Sequence, residues 1–191
     1  DLLLRKAAVH KARRQLAEER ACLELGAQLA RRCGTAKSGV ARRSLLRLAW
    51  LYQSQGEQGA AMLLYDEVLP AIRANLPTCH ADLAACLHNL ATLHHGSGEK
   101  ERALALYRRA LGIIRAALPP RPAETVTCLH NLALLHDSQG QHDMAVPLLQ
   151  EAVELGRAGQ LPMGQACASL DRLAALWQHM GEHGRALVLY E

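Results

Sequence analysis

Small and large apolar residues recur along this chain at a fixed spacing that suits a helix. The stretch CLHNLATLHHGSG, residues 86 to 98, lies over CLHNLALLHDSQG, residues 128 to 140, without a gap. The same frame runs back to SLLRLAWLYQSQG, ending at Gly56, and forward to SLDRLAALWQHMG, ending at Gly181. Within it Leu45, Leu48, Ala49 and Tyr52 answer to Leu87, Leu90, Ala91 and His94, then to Leu129, Leu132, Ala133 and His136, then to Leu170, Leu173, Ala174 and Trp177. Residues at i, i+3, i+4 and i+7 share one face of an α-helix. After each glycine comes a second apolar stripe, marked by Ala61 with Tyr65, Ala103 with Tyr107, Ala145 with Leu149 and Ala186 with Tyr190. The four glycines are 42, 42 and 41 residues apart.

Each frame predicts a helix, a short polar turn around glycine, and a longer second helix. One such hairpin cannot cover both of its apolar faces. Small residues such as Ala49 and Ala61 let paired helices approach closely, and the next hairpin buries what remains. The fold class that follows is all-α, a right-handed α-solenoid of antiparallel helix hairpins. Its frames cover about 41–82, 83–124, 125–165 and a truncated 166–191; residues 1–40 form a partial or capping repeat in which Ala21 and Leu25 echo a second helix. Proline cannot donate to a helix and disfavours helix before it, so helices are expected to end near Pro77, Pro119 with Pro120, and Pro162. Pro70 and Pro147 fall inside predicted second helices, where local kinks are expected.

Composition narrows this further. Half of the 191 residues are apolar, mostly Leu and Ala, with no Phe and few aromatics, a balance that favours helix over sheet. No uncharged apolar run reaches the roughly 18 residues that a membrane span needs, and charges interrupt the opening DLLLRKAAVHKARRQ where a signal peptide would be apolar. A soluble, cytoplasmic chain is expected. The formal charge of +4 is small, and Lys and Arg are scattered among Asp and Glu, which gives nucleic-acid binding no support. The six cysteines read as reduced and mostly buried rather than as disulfide staples.

The pattern resembles the tetratricopeptide repeat, whose signature is W-x2-L-G-x2-Y, then A-x3-F, then P. Here Leu stands for Trp, Ala for Gly, and Tyr for Phe. The stretched period, the N-L-A-x-L cores at Asn89 and Asn131, and the proline-containing connectors are similar to the kinesin-light-chain branch. That resemblance covers about residues 41 to 191. It implies binding of extended peptides or short linear motifs along a concave face made by the first helix of each repeat.

Stepping about 100° per residue places Arg43, Arg47 and Trp50 opposite the core stripe in the first frame, and His88, Asn89 and Thr92 there in the second. The third and fourth frames contribute His130, Asn131, Leu134 and Asp137, then Asp171, Arg172 and His179. Asn89 and Asn131 are the central candidates, because a side-chain amide donates and accepts and so pairs with peptide backbone whatever its sequence. The alternative is that each amide fixes repeat stacking. Arg47 and Arg172 hold the matching place in the flanking frames, where a guanidinium grips a carboxylate by two parallel bonds, which points to an acidic ligand; the alternative is a solvated charge or an ion pair within the chain. Trp50 is a candidate apolar anchor, the alternative being that the N-terminal helices cover it.

Metal and catalytic chemistry find no foothold. Cys86 with His88, and Cys128 with His130, are two apart on a helix and so point about 200° apart. No phosphate loop, G-x-S-x-G elbow or HExxH is present. No enzyme activity, cofactor or metal is expected. His94 and His136 are read as neutral imidazoles in aromatic core places, and the histidine-rich face raises a pH dependence of binding between about 6 and 7. The expected function is an adaptor that holds an extended, acidic segment of a partner protein. The alternatives are self-assembly or docking within a larger protein through the terminal repeats, and a regulatory domain that senses a peptide.

Overall fold

The computed structural model describes residues 2–32, 39–75 and 81–189, with side chains omitted for 2–14, 30, 39, 40 and 75. Pro77, Cys33, Cys79 and Tyr190 lie outside the described residues. The chain divides into two compact units, Asp1–Leu76 and Pro77–Glu191.

The first unit contains α1 (Leu2–Arg32), α2 (Gly39–Ser54) and α3 (Gln58–Asn75). Helices α2 and α3 form a hairpin, and α1 packs along α2. Arg20 carries much of that second contact, bonding Glu24 on its own helix at 2.8 Å and Glu57 at 2.5 Å while its guanidinium covers the Tyr52 ring at 4.5 Å. Arg31 reaches Glu67 on α3 in the same way. These ion pairs are partly solvated, so their net worth is small beside the apolar seam of Leu45, Leu48, Leu51, Tyr65, Val68 and Ile72, all at most 2 % exposed.

The second unit contains α4 (Ala81–Gly96), α5 (Lys100–Arg115), α6 (Pro122–Asp137), α7 (His142–Arg157), α8 (Met163–His179) and α9 (His183–Val188). It is a stack of helix hairpins, α4 with α5, α6 with α7, and α8 with α9; α5 packs on α6 and α7 on α8. The first helices also meet, α4 on α6 and α6 on α8, so they line one face together. Among the described residues there is no strand.

The small-residue positions explain the close packing. Ala49, Ala61, Ala91, Ala103, Ala133, Ala145 and Ala174 are at most 1 % exposed and Ala186 is 3 % exposed. Each turn glycine has positive φ, 81° at Gly56, 82° at Gly98, 71° at Gly140 and 79° at Gly181, a backbone state that costs a residue with a Cβ. At Gly140 its N–H reaches Asp137 O at 2.9 Å, and the Gln141 N–H reaches His136 O at 2.9 Å. The same two bonds recur at Gly56, Gly98 and Gly181, so every first helix ends in a Schellman motif. Tyr52, His94, His136 and Trp177 are the residues whose carbonyls accept the longer bond.

One expectation is revised. The second helices α5 and α7 are no longer than their partners, each having 16 residues. Pro70 and Pro147 sit inside α3 and α7, which run through them unbroken; both prolines face solvent. Helix ends fall where proline predicts: α5 stops at Arg115, α6 starts on Pro122 at a position where the missing N–H costs nothing, and Pro162 precedes α8.

Candidate functional site

On the shared face of the second unit, the expected site residues divide into those that join repeats and those that remain open. Asn131 on α6 donates from Nδ2 to Nε2 of His88 on α4 at 2.8 Å. With Nε2 accepting, the His88 proton sits on Nδ1, which faces Asn89 Oδ1 at 3.4 Å. A short relay thus runs Asn131, His88, Asn89 across two repeats. His88 also meets the Tyr107 ring edge to face at 5.4 Å, and burial pushes its pKa down. Thr92 gives its hydroxyl proton to His88 O at 3.1 Å and receives that of Tyr107 at 2.8 Å, which ties α4 to α5.

His130 differs from its expected placement. Helical stepping assigns it to the open face, but the α6–α8 contact leaves it only 9 % exposed. Its Nε2 lies 3.0 Å from Ser169 Oγ, whose own proton goes to Gln165 O at 3.0 Å. Burial, reinforced by the nearby Arg172 charge, pushes its pKa down to about 4.

Two cavities open on this face. One, of about 410 Å³, lies between α4, the end of α5 and the start of α6, and takes in His88, Asn89 and Thr127. Gln165 Oε1, buried and without a hydrogen-bond partner, borders it. The other, of about 290 Å³, lies between α6 and α8 over Ala133, Leu134, Ala175 and Leu176, with Arg172 at its wall. Leu134 is 48 % exposed there, an apolar side chain open to an incoming group. Arg172 makes no ion pair among the described residues, whereas Asp171 beside it is exposed.

In the first unit, Arg47 Nε bonds Glu19 on α1 at 2.8 Å, and its guanidinium covers the Trp50 ring at 4.7 Å. Trp50 stays 45 % exposed and Arg43 is exposed. Arg47 therefore has a carboxylate already, and Arg172 has none among the described residues. Nothing in the spacing separates the two arginines; the difference arises because Glu19 reaches Arg47 from a helix whose frame is degenerate. Gln165 was also illegible, since it precedes the repeating stripe.

His136 is 2 % exposed with Nδ1 at 2.7 Å from Gln141 Oε1, and His94 is half-buried with Nδ1 at 3.3 Å from Glu99 Oε1. The cysteines split evenly among the described residues, Cys86 and Cys128 buried and Cys22 and Cys167 exposed, so "mostly buried" does not hold. The exposed pair fall at helix positions outside the apolar stripe. No helix among the described residues is long and apolar enough to cross a membrane.

These observations define a helix-hairpin α-solenoid built on a repeated Leu-x-x-Leu-Ala core with an open face of first helices. The tetratricopeptide-repeat family model matches residues 83–123 and 125–158. In structure the chain is similar to the nearly identical TPR-like repeats of a kinesin-light-chain-type protein from Podosopora anserina, with TM-score 0.77, 24% identity, and coverage of 97% of this chain and 89% of that one. It is also similar to BtubC from P. vanneervenii, with TM-score 0.73, 20% identity, and coverage of 96% and 84%. Aspartyl phosphate phosphatase F from Bacillus subtilis matches with TM-score 0.69 and 15% identity over 78% of this chain and 38% of that one. Among curated proteins none matches the chain significantly in sequence.

Proposed function

We propose that the Pro77–Glu191 unit holds an extended, acidic segment of a partner protein across α6 and α8, as a non-enzymatic adaptor. The observation that carries this reading is Arg172, a guanidinium without a carboxylate partner among the described residues, standing at the wall of a cavity floored by Leu134 and Leu176. A ligand carboxylate meets Arg172 by charge-assisted hydrogen bonds, and a neighbouring apolar side chain covers Leu134. Asn131 keeps its Oδ1 for a backbone N–H of the ligand while Nδ2 holds His88. Asn89 and the larger cavity extend the same track toward α4. In the other unit, Arg43, Arg47 and Trp50 form a separate candidate contact on α2.

The test is binding of a fluorescent array of extended peptides, acidic against charge-reversed, to the wild type and Arg172→Glu. Acidic sequences are expected to bind preferentially, and the variant to lose at least about tenfold, the scale of a hydrogen-bonded charge. Equal binding by both proteins sinks the assignment. A second reading, assembly between copies, draws on Leu187 and Val188, which are 67% and 65% exposed beside a cavity between α7, α8 and α9. A mass in light scattering that stays monomeric at all concentrations removes it.

A further inference from the structure

We infer that Asp137, His142 and His179 form a divalent transition-metal site that joins the third repeat to the fourth. One ring nitrogen of each histidine and a carboxylate oxygen of Asp137 all lie within 4.8 Å of one another. Asp137 Oδ1 is 3.0 Å from His142 Nδ1 and 3.4 Å from His179 Nδ1. Donor atoms about 2.0–2.2 Å from a tetrahedral zinc lie roughly 3.3–3.6 Å apart, so the Asp137–His179 separation already fits and the Asp137–His142 one has to widen by a few tenths of an ångström. The His–His separation has to close, and His179 is the ligand free to move, its side chain being 66% exposed.

Two further features point to a cation rather than to a simple ion pair. Asp137 Oδ1 and His142 Nδ1 are both shielded from solvent, yet neither has a hydrogen bond of acceptable geometry, although they stand 3.0 Å apart. Lone pairs that face a common point without a shared proton are what a metal requires of its ligands. The two rings meet edge to face at 80° with centroids 5.4 Å apart, so they sit side by side without stacking. The Gly140 turn sets this up, because its Schellman bonds bring the end of α6 back against the start of α7. Asp137 and His179 sit in the last turns of α6 and α8, whose carbonyl ends favour positive charge.

The ligand set does not follow from the repeat. At the places matching His142 the first two frames carry Gln58 and Lys100, and at those matching Asp137 they carry Gln53 and His95. Two imidazoles with one carboxylate suit zinc and its borderline neighbours, and leave a coordination position for water or for an incoming donor. The set is assembled across a turn and a neighbouring repeat, so spacing within one helix does not reveal it.

Zinc alone, titrated into the whole 191-residue chain by calorimetry, is the first probe, and cobalt absorption is the second. One equivalent is expected to bind, with a cobalt spectrum of nitrogen and oxygen ligands that lacks thiolate charge transfer. His142→Ala and His179→Ala should each weaken binding at least tenfold with unchanged helicity. Failure of the wild type to bind, equal binding by the variants, or a thiolate band pointing to Cys22 or Cys167 would each overturn the assignment.

Discussion

The side-chain amide of Asn131 donates to Nε2 of His88 at 2.8 Å and so joins the first helices of two successive repeats. Both groups are half-buried, and removing the donor leaves an imidazole nitrogen without its partner. Asn131→Ala is therefore expected to cost about 1–2 kcal/mol in urea unfolding. Peptide affinity falls with it in the groove reading, because Oδ1 is lost too. Lower affinity at unchanged stability would show that the amide serves ligand alone.

Two glycines give opposite outcomes on the same substitution. Gly140 has φ of 71° and open space where a Cβ would stand, so Gly140→Ala meets no clash and costs only the left-handed backbone, about 1–2 kcal/mol. Gly112 lies within α5, also with open space around a Cβ, and needs no positive φ. Gly112→Ala is expected to gain about 0.5–1 kcal/mol. Thermal melts of the two variants read the difference in sign.

The thiols sort by burial. Cys128 is fully buried, donates weakly from Sγ to Tyr107 O at 3.4 Å, and is pushed up to about 12 by desolvation. Cys86 is equally covered, while Cys22 and Cys167 are exposed. Alkylation followed by peptide mass mapping is expected to label Cys22 and Cys167 in the native protein, and Cys86 and Cys128 only in denaturant. Native labelling of Cys128 would mean that the α5–α6 contact opens readily.

What could be read from the residues follows the physics of repeats. Leu87, Ala91, Ala103 and Gly98 announce their roles because burial, close approach and positive φ each admit few residue types. The solvent-facing residues carry no such constraint. Arg47 and Arg172 occupy matching places, yet Glu19 from α1 pairs only the first. His130 steps onto the open face by angle and is then covered by Ser169 of the next repeat. Placement across a stack depends on the neighbouring repeat, which periodicity within one helix does not encode.

The buried His130 gives the fold an acid limit. Its folded pKa of about 4 lies below the 6.5 of a free imidazole, so the neutral form is favoured by folding. Its contribution is fully present above pH 6.5 and is lost as pH falls toward 4, on the order of 3 kcal/mol in all. His88, also pushed down by burial, adds in the same direction. Glu24, Glu67 and Glu99 are held below their usual range by arginine or histidine partners, and their losses begin only below about 4.5. The two classes therefore separate on the pH axis. It also follows that His130 supplies no change in binding between pH 6 and 7, since it stays neutral there. His130→Gln keeps an N–H for Ser169 but cannot take up a proton. Urea midpoints from pH 7 to pH 4.5 are expected to fall steadily for the wild type and markedly less for His130→Gln; parallel curves would assign the acid limb to other groups.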